Sequence, residues 1–259
     1  MKTMMITGGS SGIGKATADL FATKGYKVYE LSRHGESHDG ITHIDCDVTD
    51  PEACRRAVGQ VAAEGQGIDL LISNAGMGIS GAVEFTELAD AKRQFDVNFF
   101  GSVNITQAVL PYMREQRSGR IIFVSSVMAV YALPFQAFYS ASKAAISSLA
   151  MSLENELRPF GITVCTLVPG DVKTGFTDAR KKSLDGVEIY PHMRKAVETM
   201  EHDEQNGISP ERMAGKLYRM AESGSPSVVS TVGWMYHAFL FLGRIVPTSL
   251  AHRIVGWMY

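Results

Sequence analysis

Short runs of apolar residues alternate with longer segments of helical periodicity along most of the chain. Apolar runs bounded by turn residues are typical of buried strands, and a 3.6-residue repeat is typical of helices packed on a sheet. The pattern predicts strands near 3–7, 27–32, 41–45, 69–73, 120–126, 162–168 and 227–231. Because strands that alternate with helices favour βαβ units, we predict an α/β fold, a doubly wound parallel sheet of about seven strands with helices on both faces.

Helix boundaries are marked by capping and helix-breaking residues. The predicted helices are 13–24, 50–63, 86–117 and 138–158, with a further one beginning near Pro210. Asp50 and Pro51 supply a cap and a first turn for the second of these helices. The long segment 86–117 is expected to be broken around Asn98–Gly101 and again at Pro111, because proline removes a helical hydrogen bond.

No repeat, low-complexity tract or linker interrupts this order, so we expect a single domain over 1–259. A chain of 259 residues with 45% apolar positions can bury one continuous core. Residues 175–209 differ, since they combine charges with scattered apolar positions and weak periodicity. Long excursions of this kind are often functional lids, and we interpret 175–209 as a substrate cover, with an ordinary helical excursion as the alternative.

The C-terminal tail, residues 233–259, is rich in aromatic and aliphatic residues. No uninterrupted apolar run in it reaches the roughly 18 residues that a membrane span needs. One interpretation is a short amphipathic pair of helices on a membrane surface or at the substrate mouth, and the other is packing at a subunit interface. Few basic residues are present for anionic lipids, so packing or substrate gating is favoured.

Charge and cysteine content narrow the classes of partner. The formal net charge of −2 provides no large basic field for nucleic acid, so we expect a small-molecule partner. Three cysteines without a Cys-x-x-Cys pair favour neither a disulfide framework nor a zinc site, and they fit a cytoplasmic protein. His34, His38 and His43 lack a metal-ligand spacing, so no metal is predicted.

A glycine-rich loop, Thr7–Gly14, follows the first predicted strand and opens the first predicted helix. Glycines in such a loop let the backbone approach a pyrophosphate, and the free N–H groups of the helix start favour its negative charge. This placement predicts a dinucleotide site. The residues expected to contact the cofactor here are Gly8, Ser10, Ser11, Gly12, Ile13 and Gly14.

The choice of dinucleotide is predicted from the end of the second strand, which finishes in Ser32-Arg33. An arginine at this point favours a 2′-phosphate, whereas an acid favours the ribose hydroxyls of NAD. Arg33 therefore favours NADP(H), and the hydroxyls of Ser11 and Ser32 would add donors. Glu30 is the competing acid and keeps NAD(H) as the alternative, with Arg33 then a solvated turn residue.

Tyr139 and Lys143 stand four residues apart at the start of a predicted helix, so their side chains share one face. A free phenol titrates near pH ~10, and a neighbouring cation lowers its pKa. Ser126 lies at the end of a predicted strand, where a hydroxyl faces the ligand crevice of a parallel sheet; Ser125 is its rival. The three residues together indicate proton transfer at a carbonyl oxygen.

The GxxxGxG spacing and the Tyr-x-x-x-Lys pair together resemble the short-chain dehydrogenase/reductase family. Further stretches are similar to that family in the same order, from Thr3 to about Ser230: Asp47-Val48, Ser73-Asn74-Ala75-Gly76, Asn98-Phe99-Phe100-Gly101, and Pro169-Gly170 with Thr174. Ser73 and Phe99 depart from the family motifs. The resemblance implies a Rossmann-like fold and homodimers or homotetramers built on the helices near 99–117 and 138–158.

The resemblance also implies roles for single residues. Asp47 and Val48 would contact adenine, while Asn74, Ala75 and Gly76 would form the turn beside the cofactor. The nicotinamide carboxamide would be held by Pro169, Gly170, Val172 and Thr174. Asn98, Ser126, Tyr139 and Lys143 match the catalytic tetrad, in which Asn98 bends a helix and holds a water that relays protons towards Lys143, and Lys143 also reaches the nicotinamide ribose.

These residues predict an NADPH-dependent oxidoreductase that moves hydride between nicotinamide and a carbonyl or secondary alcohol. The residues expected around the pocket are apolar, namely Met77, Met128, Val130, Leu133, Phe135 and Phe138, and they favour a hydrophobic ketone or aldehyde. A 3-oxoacyl thioester reductase is one alternative. A non-catalytic dinucleotide-sensing protein is another, although such a protein has no need of Ser126, Tyr139 and Lys143 together.

Overall fold

A computed structural model describes residues 1–64 and 67–258. Gly65, Gln66 and Tyr259, which fall within the expected domain and its C-terminal tail, lie outside the described residues, and so does the side chain of Arg244. The strands are β1 Thr3–Thr7, β2 Lys27–Ser32, β3 Ile41–Asp45, β4 Leu70–Ser73, β5 Ile79–Ser80, β6 Gly119–Val124, β7 Ile162–Leu167, β8 Lys181–Lys182 and β9 Val229–Ser230.

The helices alternate with the strands through most of the chain. They are α1 Gly12–Thr23, α2 Pro51–Ala63, α3 Leu88–Phe95, α4 Gly101–Gln116, α5 Ala137–Leu157, α6 Phe176–Ala179, α7 Met193–Gln205, α8 Pro210–Glu222, α9 Trp234–Ile245 and α10 Thr248–Met258. As expected from the sequence, Asp50 caps α2 by accepting a hydrogen bond from the backbone of Glu52.

A seven-stranded parallel sheet forms the centre of the molecule, in the order β3-β2-β1-β4-β6-β7-β9. Residues of α1 and α8 cover one face, and residues of α2, α4 and α5 cover the other. Both faces are therefore buried, which explains why β1 is apolar throughout its middle. The predicted doubly wound α/β fold is confirmed, and its strand order reverses between β1 and β4, where such sheets bind ligands.

The segment 86–117 differs from the prediction, because the helix is not broken. A π-helical turn over Asp96–Phe100 joins α3 to α4, and Pro111 lies inside α4. In place of the break expected around Asn98, the chain has this wider helical turn, which continues directly into α4. Pro111 is tolerated because the carbonyl that loses its partner belongs to Gln107, which is exposed to water.

The segment 175–209 folds into α6, β8 and α7, and β8 pairs in parallel with β5 in a small second sheet. The C-terminal tail forms α9 and α10, and α9 places the ring of Tyr236 against Gly170. Large apolar side chains such as Trp234 and Trp257 on these two helices are exposed. Among the helices that the structure describes, none is long and apolar enough to cross a membrane.

Candidate active site

The loop between β1 and α1 has a backbone that requires glycine. Gly8 and Gly12 have φ values of 64° and 52°, in the left-handed region that side chains disfavour. A Cβ atom on Gly14 would lie 2.0 Å from the carbonyl oxygen of Gly8. A Cβ on Gly12 would lie 3.3 Å from the Thr174 methyl group, so this loop faces the segment after β7. The absence of side chains leaves an open cradle at the start of α1, which fits a pyrophosphate.

The turn after β4 locks this loop in place. The Asn74 amide donates to the carbonyl oxygens of Thr7 and Gly8 at 3.0 and 3.1 Å. The backbone N–H groups of Asn74 and Ala75 both donate to the Thr7 hydroxyl at 3.0 Å. Ser73, one departure from the family motif, donates to the hydroxyl of Ser102 on α4 instead. The predicted cofactor residues of β1 and β4 therefore meet at one edge of the sheet.

A cleft of about 520 Å³ lies beside the loop at the end of β2. Its lining residues are Gly9, Ser10, Lys15, Glu30, Arg33, His34, Gly35, Glu36, His38 and Asp45. Arg33 is exposed, whereas Glu30 is only 3% exposed and hydrogen-bonds His43 through one carboxylate oxygen. Its second oxygen is buried without a hydrogen-bond partner. The cleft thus brings Arg33 and Lys15 together with acidic residues, among which Glu30 keeps one carboxylate oxygen unpaired.

Asp47, at the predicted adenine end, lies close to Arg33. Burial raises the pKa of its carboxyl, but the backbone and hydroxyl of Thr49 donate to it, and the guanidinium groups of Arg33 and Arg93 add attraction. The net result is a pKa below the ordinary value. Asp47 is therefore a charged acceptor at neutral pH. Val48, which follows it, is buried and packs against Gly101.

Ser126, Tyr139 and Lys143 come together at the carboxyl end of β6. Ser126 follows that strand and accepts a hydrogen bond from the Met128 N–H at 3.2 Å, and its hydroxyl lies near the Tyr139 phenol, whose pKa it lowers. The Lys143 ammonium donates to the Val124 carbonyl at 2.9 Å and lies 5.8 Å from the centre of the Tyr139 ring. The rival Ser125 donates to the Lys143 carbonyl at 2.9 Å and contacts Ser147, so its hydroxyl ties β6 to α5.

Asn98 joins this group from the π-helical turn. Its side chain is fully buried, accepts from the Met77 N–H at 2.8 Å, and donates to the Met77 carbonyl and the Ser142 hydroxyl at 3.0 Å. A Cβ on Gly76 would lie 3.3 Å from the Asn98 carbonyl oxygen and 3.6 Å from the Lys143 ammonium. Asn98 and Lys143 are thus neighbours beside the turn after β4, and Lys143 lies beside Tyr139, which is near Ser126.

Burial shifts the pKa values of Tyr139 and Lys143 in opposite directions. Burial raises the pKa of Tyr139, the charge of Arg180 lowers it, the charge of Glu204 raises it, and the Ser126 hydroxyl lowers it. The net pKa of Tyr139 is about 12. Burial also lowers the pKa of Lys143 to about 8. In the protein alone, Tyr139 is therefore a protonated phenol at neutral pH, as a proton donor must be.

Arg180, Glu204 and Tyr236 were missed by the sequence reasoning. The Tyr236 hydroxyl donates to the Asp171 carboxylate at 2.7 Å and accepts from the Asp171 N–H at 2.9 Å, which fixes the segment after Pro169-Gly170. Val172 in that segment is buried and bridges to Ile208. No sequence signal indicated these partners, because each pair is separated by more than twenty positions. Within residues 1–64 and 67–258, no cluster of three potential ligands is arranged for a metal ion.

Comparison with known proteins places the chain in a family. The sequence model of the short chain dehydrogenase family matches residues 2–185. A 3-ketodihydrosphingosine reductase of Bacteroides thetaiotaomicron is 40% identical over 234 residues, 89% of this chain and 87% of that protein. A 3-oxoacyl-(acyl-carrier-protein) reductase of Mycobacterium avium is 33% identical over 201 residues, 74% and 76% of the two chains.

Solved structures agree with the sequence comparisons. A short-chain dehydrogenase from Streptomyces avermitilis superposes with a TM-score of 0.86 at 27% identity, covering 99% of this chain and 95% of that one. The chain therefore belongs to the short-chain dehydrogenase family of oxidoreductases, whose members bind a nicotinamide cofactor and act on small molecules.

Proposed function

We propose that this protein uses NADPH to reduce the ketone of a long, apolar substrate, with Tyr139 as the proton donor. The observation that carries the proposal is the cluster at the end of β6, in which the Lys143 ammonium lies 5.8 Å from the centre of the Tyr139 ring and the Ser126 hydroxyl lies near the same phenol. The cluster lies at the sheet edge that also presents the glycine cradle. A binding protein that only sensed a dinucleotide would need the cradle without this cluster.

The chain's own residues account for the proton side of the reaction. A bound nicotinamide supplies the hydride. Ser126 and Tyr139 donate hydrogen bonds to the carbonyl oxygen of the substrate, and Tyr139 transfers its proton to that oxygen as negative charge develops. Lys143 orients the ribose and, with its positive charge, favours the phenolate that remains. Asn98 holds the turn after β4 against α5 and positions a water for proton return to Lys143.

The proposed cofactor contacts extend along the whole crevice. They are Gly8, Ser10, Ser11, Gly12, Ile13 and Gly14 in the loop, Ser32 and Arg33 after β2, Asp47 and Val48 after β3, Asn74, Ala75 and Gly76 after β4, Tyr139 and Lys143 on α5, and Pro169, Gly170, Val172 and Thr174 after β7. Arg33 on the cleft rim supports a 2′-phosphate and hence NADP(H). The unpartnered oxygen of Glu30 is what supports NAD(H) as the alternative.

The substrate class is argued from the side chains beside Tyr139. Met128, Val197 and Met200 form a small buried apolar cluster, against which Leu133, Phe135 and Tyr139 pack. Apolar and adaptable side chains of this kind beside Tyr139 would fit an alkyl chain. The two relatives are named for a 3-keto lipid base and for a 3-oxoacyl group, so we propose a long-chain 3-keto compound. A 3-oxoacyl thioester is the second candidate, favoured by the relative from Mycobacterium avium.

A panel of ketones of graded chain length, run with NADPH and NADH in parallel, tests this proposal. We expect kcat/KM to rise with chain length and to be at least about tenfold higher with NADPH, because Arg33 makes charge-assisted hydrogen bonds to the 2′-phosphate. Arg33→Ala should lower the NADPH value and leave the NADH value nearly unchanged. Arg56→Ala, an exposed arginine on α2, is the matched control. Binding of NADPH without turnover of any ketone would instead support the dinucleotide-sensing alternative.

A further inference from the structure

A buried ion pair lies inside the segment 175–209. The guanidinium Nη2 of Arg180 donates to one oxygen of Glu204 at 2.5 Å, and the hydroxyl of Thr177 donates to the other at 2.6 Å. The Arg180 side chain is 1% exposed and that of Glu204 is 10% exposed. The pair joins the end of α6 to the end of α7.

Arg180 has more donors than this pair uses. Its Nε and Nη1 atoms are buried and have no hydrogen-bond partner. Leaving N–H groups of a charged side chain buried and unpaired is costly, so an oxygen acceptor is expected to lie against them. Glu204 already neutralises the guanidinium charge, and the Asp171 and Glu204 carboxylates lie near each other. An uncharged oxygen therefore fits these donors better than another anion.

Arg180 and Tyr139 both contact the ring of Phe176. The Arg180 guanidinium stacks on the ring of Phe176 at 5.5 Å, and the ring of Tyr139 lies 5.8 Å from the same ring. A Cβ on Gly78 would lie 3.3 Å from Arg180 Nε, which places the guanidinium against the chain that follows the turn of Gly76. The Arg180 charge is also one of the causes that shift the pKa of Tyr139. A substrate bound at the Tyr139 hydroxyl would therefore lie close to the Arg180 guanidinium.

We propose that Arg180 recognises a substrate oxygen on the carbon two positions from the reacting ketone, by donating hydrogen bonds from Nε or Nη1. The inference rests on the proposed function and narrows its substrate class. A 3-oxoacyl group carries its acyl oxygen on carbon 1, and a 3-keto sphingoid base carries a hydroxyl there. Both candidate substrates thus present an uncharged oxygen at the same distance from the ketone.

The alternative is that Arg180 has only a structural role, joining α6 to α7 through its ion pair with Glu204. Two substrates of equal length separate these roles: ethyl 3-oxodecanoate, which has the second oxygen, and 6-tridecanone, which replaces the ester by methylene groups. We would measure kcat/KM for both with NADPH, in the wild type, in Arg180→Met, and in Arg180→Met/Glu204→Gln, which does not leave a buried carboxylate unpaired. Thr177→Val, which removes the other donor to Glu204, is the matched control.

If Arg180 recognises the second oxygen, its replacement should lower kcat/KM for the oxo ester and not for 6-tridecanone. The ratio of the two kcat/KM values should fall about 10- to 100-fold in both Arg180 variants and stay unchanged in Thr177→Val, since a hydrogen bond from a charged donor is lost only in the former. An equal loss on both substrates in the Arg180 variants would overturn the inference and leave the proposed function intact. Failure of the wild type to reduce either substrate would overturn the proposed function, and this inference with it.

Discussion

Lys143 is a charged side chain in a site that does not solvate it. It is 4% exposed, and its ammonium donates to the carbonyl of Val124. Burial lowers its pKa to about 8, below the value near 10.4 of an unfolded chain. Because the folded state holds this proton more weakly, the charged form opposes folding, and this cost diminishes as the pH rises from about 8 towards 10. The buried charge of Lys143 therefore lowers the free energy of unfolding at neutral pH, although the candidate site needs that charge.

Replacing Lys143 by Met should consequently stabilise the protein without cofactor. We expect its free energy of unfolding to exceed that of the wild type by roughly 1–2 kcal/mol at pH 7, less than the full desolvation cost because the bond to Val124 is lost. The difference should shrink at pH 9.5, where the wild-type lysine is mostly neutral. Urea denaturation at both pH values measures it.

Lys92→Met, at an exposed position on α3, controls for the loss of a positive charge and should show neither effect. A less stable Lys143→Met protein at pH 7, or a difference that does not change with pH, would contradict the burial argument.

The π-helical turn between α3 and α4 brings Asn98 to the site. A regular helix would rotate the following residues relative to α3, so the wider turn decides which side chains face the turn after β4. Asn98 then joins three parts of the chain through Met77 and Ser142. The hydrogen bonds of Asn98 therefore both stabilise this part of the fold and fix the position of the Asn98 side chain in the candidate site.

Asn98→Ala should therefore weaken the fold as well as the activity. It leaves the partly buried N–H of Met77 without its acceptor, and we expect a loss of about 1–3 kcal/mol in the free energy of unfolding. Asn155→Ala, on the exposed side of α5, is the control and should change stability little. Thermal and urea unfolding measure both. Wild-type stability in Asn98→Ala would show that the turn is held by other contacts.

The elements that sequence reasoning predicted well are those with a long and regular apolar repeat. The strands of the central sheet, the helix after the glycine loop and the helix of Tyr139 and Lys143 all lie within a few residues of their predicted ranges. The break expected at Pro111 was wrong, because an exposed carbonyl can lose its partner to water at low cost. The weak periodicity of 175–209 left a helix there only as the alternative, although α7 buries an apolar face that includes Val197 and Met200.

In the candidate site, too, contacts between residues close in sequence were predicted and contacts between residues far apart in sequence were not. Tyr139 and Lys143 share a helix turn, so their spacing alone predicted their proximity. The pair of Arg180 and Glu204 depends on where β8 pairs with β5 and where α7 then ends, which is decided by tertiary packing. Long-range pairs of this kind leave no periodic trace in a single sequence.

For the assembled protein we expect a homodimer or homotetramer built on α4 and α5. Large apolar side chains are exposed just before α4 and on α5, with Phe100 52% and Met151 50% exposed. Met151→Arg would place a charge in that interface and should shift the protein towards monomer, because an unpaired buried charge is unfavourable. Light scattering after gel filtration measures the mass.

Leu184→Arg, in the segment 175–209, is the control for this substitution, since it adds the same charge to another exposed apolar position. It should leave the mass unchanged. A wild-type protein that is monomeric at micromolar concentration, or a Met151→Arg protein of unaltered mass, would contradict the expected interface.

The central claim is that Tyr139 gives its proton to the substrate oxygen. Removing only its hydroxyl, in Tyr139→Phe, should lower kcat for a long-chain ketone by about 10²- to 10⁴-fold, the usual contribution of a positioned acid. NADPH binding, followed by fluorescence titration, should stay within about threefold of the wild type, and Tyr112→Phe on α4 should be normal in both assays. Wild-type kcat in Tyr139→Phe, with NADPH bound, would contradict the account.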